Sequence, residues 1–472
     1  MWNDLRLAAR LLRKNRGFTV AAVAALAVGM SATITMFTLA NGVYLRDLPF
    51  ADPDRIVSIG IRSVGGQPGT IDNVSFPDFK DLQASARLFD GIGAADEDAM
   101  DLADETHAAE RFVGAYVSAN AFGLIGHQAA LGRGFTKEDD QLGVEPVVIL
   151  GHTVCQRRYG GEPGIVGRRV RVNGILSTVV GVMPEGFGFP NQSALWQPLS
   201  LRRDEDRDRR DNRSIDMFGR MAKDVTVEQA EADLARVMER LARDFPQTNA
   251  GIAPLVRPFR DVNTSGPIRI VFAGLMAAVV FLLVIACANV ANLLLARGAS
   301  RAREITLRVS LGATRRQVVR QLLAESLLLA LVAGTIGLAF AAVGVRLFQR
   351  SITGTGEPYW MRFPIEGGVF AFVAAVCLGT TVLCGLAPAL HATRLGLASV
   401  LSEAGRSTTG AIGARRWTDG FVVLQLALSL TMLADAGLMR RMVVAFSRLD
   451  VGVDIQGLVS ARLNLPAQRY KT

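Results

Sequence analysis

The sequence predicts an α-helical membrane protein with a large α+β domain outside the membrane. Five apolar segments are each long enough to cross a bilayer, and one long polar region, 52–266, carries mixed strand and helix patterns. A spanning helix needs about 20 mainly apolar residues, because its backbone must hydrogen-bond internally in the hydrocarbon. The composition agrees, since half of the 472 residues are hydrophobic and 20% are charged.

The N-terminus predicts a surface helix followed by the first span. Residues 1–17 are basic, with apolar residues at helical spacing at Trp2, Leu5, Ala9 and Leu12. This pattern is typical of a helix that lies on the cytoplasmic membrane surface. The first span follows at 18–45. A cleaved signal peptide is the alternative, but the apolar region is too long and no small-residue cleavage site follows it.

Residues 52–266 predict a soluble α+β domain on the opposite side of the membrane. Alternating patterns predict strands at 55–61 and 147–150 and a hairpin over 168–182, whose Asn173-Gly174 pair favours the turn that matches strand twist. Helical patterns cover 76–85 and 227–245, and Thr226 is suited to cap the second helix. We interpret the charged run 202–213 as an exposed loop.

A basic segment lies between the second span, 268–296, and the third span, 322–348. Seven arginines fall within 297–321, and the positive-inside rule places this segment in the cytoplasm. Residues 301–311 have helix-forming character, and Gly312 is suited to end such a helix. The residues alone leave two interpretations open: a docking surface for a soluble partner, or arginines that only fix topology and touch lipid headgroups.

The remaining chain predicts two more spans. A polar loop, 349–367, contains Tyr359 and Trp360, which are typical of the outer membrane interface. The fourth span is predicted at 368–390, a cytoplasmic Gly/Ser-rich linker at 391–418 and the fifth span at 419–440. Residues 441–472 then resemble the start of a second soluble domain. The N-terminal order of basic residues, one apolar helix and a polar, strand-like segment is thus repeated.

No pattern in the sequence predicts catalysis or a cofactor. A P-loop needs a lysine directly after a glycine, and none of the lysines has one: Lys14, Lys80, Lys137, Lys223 and Lys471. The histidines are far apart and lack metal-ligand spacing: His107, His127, His152 and His391. The four cysteines do not form a disulfide framework. We expect a non-enzymatic protein without a metal, and we assign the net charge of +9 to membrane topology rather than nucleic-acid binding.

The segment ANVANLLLARGASRAREITLRVSLGATRRQVVRQLLAESLLL resembles the core signature of the MacB/FtsX-type permeases of ABC transport systems. It is especially similar to the group called acidobacterial duplicated orphan permeases. Within 52–266, SFPDFKDL and TVVGVMPEGFGFP resemble the MacB-type periplasmic domain of that family. In the family, the basic segment is a coupling helix that docks on an ATPase subunit. The matching positions are Arg301, Arg303, Glu304, Ile305, Arg308, Leu311, Gly312, Ala313 and Thr314.

The resemblance implies an FtsX-like four-helix transmembrane unit, with a fifth helix that starts a second copy. It implies the permease subunit of an ABC-type export or mechanotransmission system in the bacterial inner membrane, with its N-terminus in the cytoplasm. The expected partners are a separate ABC ATPase, membrane lipid, and a periplasmic partner or cargo. The expected assembly is a dimer or pseudo-dimer. The sequence ends at Thr472, soon after the fifth span, and we interpret it as a fragment or a truncated gene product.

A second hypothesis needs no ATP coupling. A membrane-anchored sensor or scaffold would bind a partner through its extracytoplasmic domain alone. In such a protein, the arginines of 297–321 and Glu304 could be replaced without loss of function. The two hypotheses therefore differ in the role that they give to the coupling segment.

Overall fold

The computed structural model describes the chain except for Met1 and residues 64–71, 203–207, 263–266, 301–313, 355, 395–408 and 448–472. The chain divides into two units. The helical unit comprises Met1–Gly42, Ile270–Ser351 and Phe363–Ser460, and the α+β unit includes Val43–Arg269 and Ile352–Arg362. The segment 352–362, between two apolar helices in sequence, thus belongs to the α+β unit.

The described helices and strands follow in chain order. The helices are α1 (Trp2–Lys14), α2 (Arg16–Ala40), α3 (Phe76–Ser85), α4 (Ala121–Leu124), α5 (His152–Tyr159), α6 (Val227–Asp244), α7 (Pro246–Asn249), α8 (Phe259–Val262), α9 (Pro267–Ser300), α10 (Arg315–Ile352), α11 (Gly367–Arg394) and α12 (Thr409–Ser447). The strands are β1 (Ile56–Ser63), β2 (Val74–Ser75), β3 (Phe89–Ala103), β4 (Glu110–Val117), β5 (Leu131–Gly132), β6 (Val147–Leu150), β7 (Arg169–Val172), β8 (Ile175–Val182), β9 (Leu195–Pro198), β10 (Arg213–Met221) and β11 (Ile252–Pro258).

The strands form one mixed sheet in the order β11-β1-β10-β3-β4-β9-β6-β8-β5, with β2 and β7 paired beside this path. Only β4–β9 and β6–β8 are parallel among the described pairs. Residues of β1 alternate between two apolar cores, because neighbouring side chains of a strand point to opposite faces. Val57, Ile59 and Ile61 enter one core with the apolar stripe of α6, and Ile56 enters a second, aromatic core.

Several local predictions are confirmed. The hairpin β7–β8 turns at Asn173 and Gly174, both with positive φ, at 50° and 81°. Helix α3 covers the predicted 76–85, and Ser75 caps it by accepting a bond from the Asp78 amide. Thr226 caps α6 in a reciprocal capping box with Gln229. These features depend on side chains within four residues of each other, so the sequence alone specifies them.

The charged run 202–213 differs in part from the prediction of an exposed loop. Residues 203–207 lie outside the described part, but the arginines on both sides of the gap are anchored. Arg202 forms an ion pair with Asp96, and Arg210 pairs with Asp78 at 2.5 Å and with Asp81 at 2.7 Å. Their side chains are 19% and 16% exposed. The prediction is confirmed at Asp208, Arg209 and Asp211, which are exposed. It is wrong for Arg202 and Arg210, because their acidic partners lie more than 100 positions away in sequence.

The helical unit is held together by close contacts between apolar helices. The rings of Phe37 on α2 and Phe372 on α11 stack with centroids 3.8 Å apart. The hydroxyl of Thr33 on α2 donates to the carbonyl of Val279 on α9 at 3.2 Å. On α10, a Cβ at Gly337 would lie 3.2 Å from the Cβ of Met30, so glycine permits α2 and α10 to approach closely.

Among the described residues, four helices are long and apolar enough to cross a membrane: Arg16–Leu45, Arg269–Arg297, Arg316–Ile352 and Gly367–Gly385. They lie at the first four predicted spans. The fifth predicted span, 419–440, falls within α12 and is not one of these four helices, so it stays a prediction. All four cysteines are free and buried, in agreement with a packing role.

Candidate functional site: an aromatic junction in the α+β unit

Three separate chain segments meet in the aromatic core of the α+β unit. The first, 44–50, follows α2, and the second, 258–262, precedes α9. The third, 358–362, connects α10 to α11. In the described structure, three chain segments connect the α+β unit to apolar helices, and each of them contributes to one cluster. We call this cluster the aromatic junction and define it by Phe50, Phe187, Phe189, Phe259, Tyr359 and Trp360.

The rings of the junction pack mostly edge to face. Phe50 lies 5.4 Å from Phe259, 6.0 Å from Trp360 and 6.1 Å from Phe189, measured between ring centroids. Trp360 also lies 5.6 Å from Phe259, and Tyr359 lies 5.4 Å from Phe187. Such pairs each contribute about 0.5–1.5 kcal/mol beyond simple burial. The three segments are thus held to one another and to the sheet by a shared set of contacts.

Polar contacts fix the same segments at their edges. The amide of Tyr359 donates to the carbonyl of Asn191 at 2.6 Å, and the guanidinium of Arg362 donates to the carbonyl of Gly186 at 3.2 Å. On the other side, Arg260 donates to the carbonyl of Tyr44 at 3.3 Å and pairs with Asp47 at 3.0 Å. Segment 358–362 is therefore bound to the loop after β8, and segment 258–262 is bound to segment 44–50.

The loop after β8 is shaped to receive segment 358–362. Gly186 has a φ of +76°, and a Cβ at this position would collide with the guanidinium of Arg362. A Cβ at Gly188 would lie 2.9 Å from the Cβ of Tyr359. The glycines of the sequence GFGF thus bring the backbone next to both side chains. Two close approaches at one loop indicate a specific contact surface.

Burial at the junction disfavours charge. Burial raises the pKa of the Tyr359 phenol above its usual value. Burial also lowers the pKa of His127, against the smaller opposing effect of its bond to the Ile125 carbonyl. The His127 ring lies 4.9 Å from the ring of Phe187. Burial thus favours the neutral form of both groups, and the junction is suited to mechanical contact rather than to acid–base chemistry.

The sequence alone did not predict this site. Tyr359 and Trp360 were predicted at the outer membrane interface, which stays a prediction, and both rings pack against the aromatic core of the α+β unit. A signal was present in the sequence, because each joining segment carries aromatic residues, in LPF, RPF and PYW. Composition cannot distinguish an aromatic ring that packs on protein from one at a lipid headgroup, since both environments favour the same residues.

The predicted coupling residues lie almost entirely outside the described part of the structure. Residues 301–313 contain Arg301, Arg303, Glu304, Ile305, Arg308, Leu311, Gly312 and Ala313. Thr314 is described, and it caps α10. Its hydroxyl accepts from the Gln317 amide at 3.4 Å, and the Gln317 side chain accepts from the Thr314 amide at 2.8 Å. The threonine of the LGAT motif thus marks the start of the next apolar helix.

A buried ionic network lies elsewhere in the α+β unit. Asp104 accepts from the Tyr159 hydroxyl at 2.8 Å and pairs with Arg158 at 3.4 Å. The Arg158 and Asp104 side chains are 5% and 9% exposed. Since Asp104 begins the β3–β4 connection and Arg158 lies on α5, the network joins these elements. Among the described residues, no group of three or more His, Cys, Asp or Glu is arranged to hold a metal ion.

Comparison with known proteins gives the chain two domains. Residues 19–237 match the MacB-like periplasmic core domain, and residues 276–397 match the FtsX-like permease C-terminal domain. The chain therefore carries a region similar to a MacB-like periplasmic core, followed by a region similar to an FtsX-like permease domain. It spans 60% and 40% of the length of the two curated relatives described next.

The curated relatives carry export names. The chain is 25% identical over 415 residues to the macrolide export ATP-binding/permease protein MacB of Wolinella succinogenes, covering 84% of this chain and 60% of that one. It is 27% identical to the pyoverdine export ATP-binding/permease protein PvdT of Pseudomonas syringae pv. tomato, covering 57% and 40%. The periplasmic region of MacB from Actinobacillus actinomycetemcomitans matches 46% of this chain, with 16% identity and a TM-score of 0.33.

Proposed function

We propose that this chain is the permease subunit of an ABC-type export or mechanotransmission system. In this proposal, a separate ATPase moves the apolar helices, and the helices move the MacB-like domain. The observation that carries it is the combination in one chain of a MacB-like periplasmic core at 19–237 and an FtsX-like permease domain at 276–397. The absence of a lysine after any glycine agrees with an ATPase on another chain or segment.

The ATPase would dock on the basic segment 297–321. Its proposed contacts are the residues that match the family's coupling helix: Arg301, Arg303, Glu304, Ile305, Arg308, Leu311, Gly312, Ala313 and Thr314. The capping box at Thr314 supports this proposal, because it starts α10 at Arg315, inside the basic segment. A force on Thr314 would then act on the first turn of α10.

The aromatic junction would deliver the movement to the α+β unit. Segment 358–362 follows α10, and its Tyr359 amide is bonded to Asn191 at 2.6 Å. A displacement along α10 would therefore reach the loop after β8 through a short connection. The same junction contains Phe50 after α2 and Phe259 before α9. We propose that the aromatic junction makes the ends of these helices move together, so that the α+β unit moves as one body.

Co-purification from membranes tests the proposal. The bait is the full chain, and the candidates are ABC ATPase subunits from the same cell. We expect one ATPase to be recovered with the wild type and lost with Glu304→Arg combined with Arg308→Glu. The matched control is Glu162→Arg with Arg168→Glu, the same charge exchange at two exposed residues of the α+β unit, and it should retain the ATPase.

A different result would support the sensor or scaffold hypothesis. Failure to recover any ATPase, or equal recovery with both double variants, would contradict ATP coupling through 297–321. Recovery of a periplasmic protein in the same experiment would then identify the partner that a scaffold requires. The two hypotheses make opposite predictions for the Glu304 and Arg308 pair.

We further propose the inner membrane as the location, with the N-terminus in the cytoplasm, and a dimeric or pseudo-dimeric assembly. The basic residues beside the apolar helices support this orientation. The basic stretch and apolar helix around Arg415–Leu438 support membership of the duplicated orphan permease group. Reporter fusions test the orientation: one at Lys14 should report the cytoplasm, and one in 139–145 of the α+β unit should report the periplasm.

A further inference from the structure

An apolar groove runs along the seam between α2 and α10 in the helical unit. Its volume is about 490 Å³. Val20, Ala24 and Val28 line it from α2, and Val332, Ile336 and Phe340 line it from α10. Five of these six side chains are large hydrophobics with at least 37% of their surface exposed. The groove is therefore open along its length rather than enclosed.

Side-chain size explains why the groove forms here. At Gly337, next to Ile336, α10 packs closely against Met30 and Ser31 of α2. A Cβ at Gly337 would lie 3.2 Å from the Cβ of Met30. On the groove side, α2 presents the small residue Ala24 between Val20 and Val28. The seam is thus closed at Gly337 and left unfilled beside Ala24, which produces an apolar channel on the surface of the helix pair.

The length of the groove matches one leaflet of a bilayer. Its α2 residues extend from Thr19 to Val28, which corresponds to roughly 14 Å at 1.5 Å per residue. Half of a hydrocarbon core is about 15 Å. The groove begins one turn after the start of α2 at Arg16. An acyl chain that entered at this end would therefore be accommodated within the leaflet where α2 begins.

The same end of the groove is basic. Arg13, Lys14 and Arg16 are exposed at the joint between α1 and α2. The joint is fixed, because the Thr19 hydroxyl donates to the Leu12 carbonyl at 2.9 Å and to the Asn15 carbonyl at 3.1 Å. Thr19 itself lines the groove. Three cations are thus held within about one helical turn of an apolar channel that fits an acyl chain.

From this arrangement we infer that the helical unit binds an anionic phospholipid, with an acyl chain in the α2–α10 groove and its headgroup at Arg13, Lys14 and Arg16. The inference rests on the membrane location and orientation proposed above, and it adds a specific ligand. Basic residues next to a membrane are attracted to anionic lipid headgroups. A helix of a second copy fits less well, because it would have to bring acidic residues to the same three cations.

Native mass spectrometry of the full chain tests the inference. The protein is reconstituted with equal amounts of phosphatidylglycerol and phosphatidylcholine, released, and the retained lipids are counted. We expect the wild type to retain phosphatidylglycerol about tenfold more than phosphatidylcholine, because three cations attract the anionic headgroup. A tenfold preference corresponds to about 1.4 kcal/mol. Ala24→Phe should fill the groove and abolish retention, whereas Ala21→Phe, at an exposed residue outside the groove lining, should not.

Charge variants separate the headgroup from the chain. Replacing Arg13, Lys14 and Arg16 by Gln should abolish the preference for phosphatidylglycerol. Replacing Arg346, Arg350 and Arg440 by Gln removes the same charge at exposed positions elsewhere and should leave the preference intact. Equal retention of the two lipids by the wild type, or equal effects of Ala24→Phe and Ala21→Phe, would overturn the inference.

A failure of the lipid inference can be distinguished from a failure of the proposed function. If the chain recovers an ATPase but shows no lipid preference, only the lipid inference fails. If the chain does not enter membranes, both fail. A lipid-free dimer that dissociates on Ala24→Phe would show that a second copy fills the groove, and this would also overturn the lipid inference.

Discussion

The backbone amide of Tyr359 donates a 2.6 Å hydrogen bond to the carbonyl of Asn191, although 168 positions separate the two residues in the chain. Tyr359 belongs to the short segment between α10 and α11, and Asn191 belongs to the loop between β8 and β9. The bond therefore attaches the connection between two apolar helices to the sheet of the α+β unit. It makes segment 358–362 a structural part of that unit rather than a free external loop.

We predict that Trp360→Ala loosens the aromatic junction. The change removes ring contacts with Phe50 at 6.0 Å and Phe259 at 5.6 Å. The expected loss is about 2 kcal/mol, from two or three aromatic pairs. Hydrogen exchange measured by mass spectrometry should become roughly thirtyfold faster in 186–192 and 356–362, where local opening exposes the amides. Trp360→Phe keeps a ring and should change exchange much less. Equal exchange in Trp360→Ala and wild type would show that the junction does not hold the segment.

We predict that Gly186→Ala weakens the contact between segment 358–362 and the loop after β8. The φ of +76° costs an L-residue about 1–2 kcal/mol, and the new Cβ displaces the Arg362 guanidinium. The matched control is Gly143→Ala, at φ +85° with no atom near the new Cβ, which has only the backbone cost. Thermal unfolding followed by the fluorescence of Trp196 and Trp360 measures both. The midpoint for Gly186→Ala should fall further by roughly 3 °C, the equivalent of about 1 kcal/mol.

A double substitution isolates the side-chain contact. In an Arg362→Ala background, Gly186→Ala should cost no more than Gly143→Ala, because the displaced guanidinium is absent. The difference between the two backgrounds gives the coupling energy of Gly186 with Arg362. A difference of zero would assign the whole effect of Gly186→Ala to backbone strain.

We predict that Arg210→Gln destabilises the α+β unit by about 3 kcal/mol. Arg210 pairs with Asp78, whose side chain is 1% exposed, and its guanidinium lies 3.8 Å from the centroid of the Phe245 ring. Removal of one partner leaves a buried carboxylate without its counter-charge. Arg209→Gln is the neighbouring control, because Arg209 is 61% exposed in its pair with Asp211. It should cost less than about 1 kcal/mol.

A compensating change checks the reason for this loss. Asp78→Asn in the Arg210→Gln background should recover part of the thermal midpoint, since it removes the unpaired charge while keeping the bond from Asn249. If the second substitution lowers the midpoint further, lost packing on Phe245 rather than the buried charge would explain the effect of Arg210→Gln.

We predict an acid-sensitive network at Asp104. Burial acts to raise the pKa of its carboxyl, but hydrogen bonds from Thr106, Tyr159 and His107 outweigh burial and hold the pKa well below the usual range. The ionised carboxylate therefore stabilises the fold fully above the unfolded pKa of about 3.9, and this stability is lost as pH falls below that value. Asp104→Asn should cost about 2 kcal/mol at pH 7, because buried Arg158 loses one of its two acidic partners and keeps only Glu110.

The pH dependence separates this network from general acid denaturation. Thermal midpoints measured from pH 7 down to about pH 2 should fall less steeply below roughly pH 4 for Asp104→Asn than for the wild type. Asp54→Asn, at an exposed carboxylate of the same unit, should follow the wild-type curve. A parallel acid decline in all three proteins would show that Asp104 does not control the acid stability of this unit.

Local features of this fold followed from the sequence. The Asn173-Gly174 turn, the capping box of Thr226 with Gln229 and the bounds of α3 depend on residues that are neighbours in the chain. The four apolar helices could be predicted because length and composition, not tertiary contacts, decide whether a helix can cross a bilayer. The resemblance at 301–314 likewise came from contiguous residues. Each of these features is specified by short-range physics.

Long-range pairing was invisible in the sequence. Within the charged run 202–213, the pairing of Arg202 with Asp96 and of Arg210 with Asp78 and Asp81 was not predicted. The contacts of Tyr359 with Phe187 and of Trp360 with Phe50 were also not predicted. Charged and aromatic residues are compatible with several environments, so their composition does not select one.

The sequence by itself determined which segments are apolar enough to cross a membrane, where the soluble region folds into turns and capped helices, and which segment resembles a coupling helix. Tertiary structure alone decided that Phe50, Phe259 and Trp360 form one junction and that α2 and α10 leave a groove beside Ala24. The physical reason is the range of the forces involved. Helix capping and hydropathy act between neighbours in the chain, whereas packing depends on which distant surfaces the completed fold brings together.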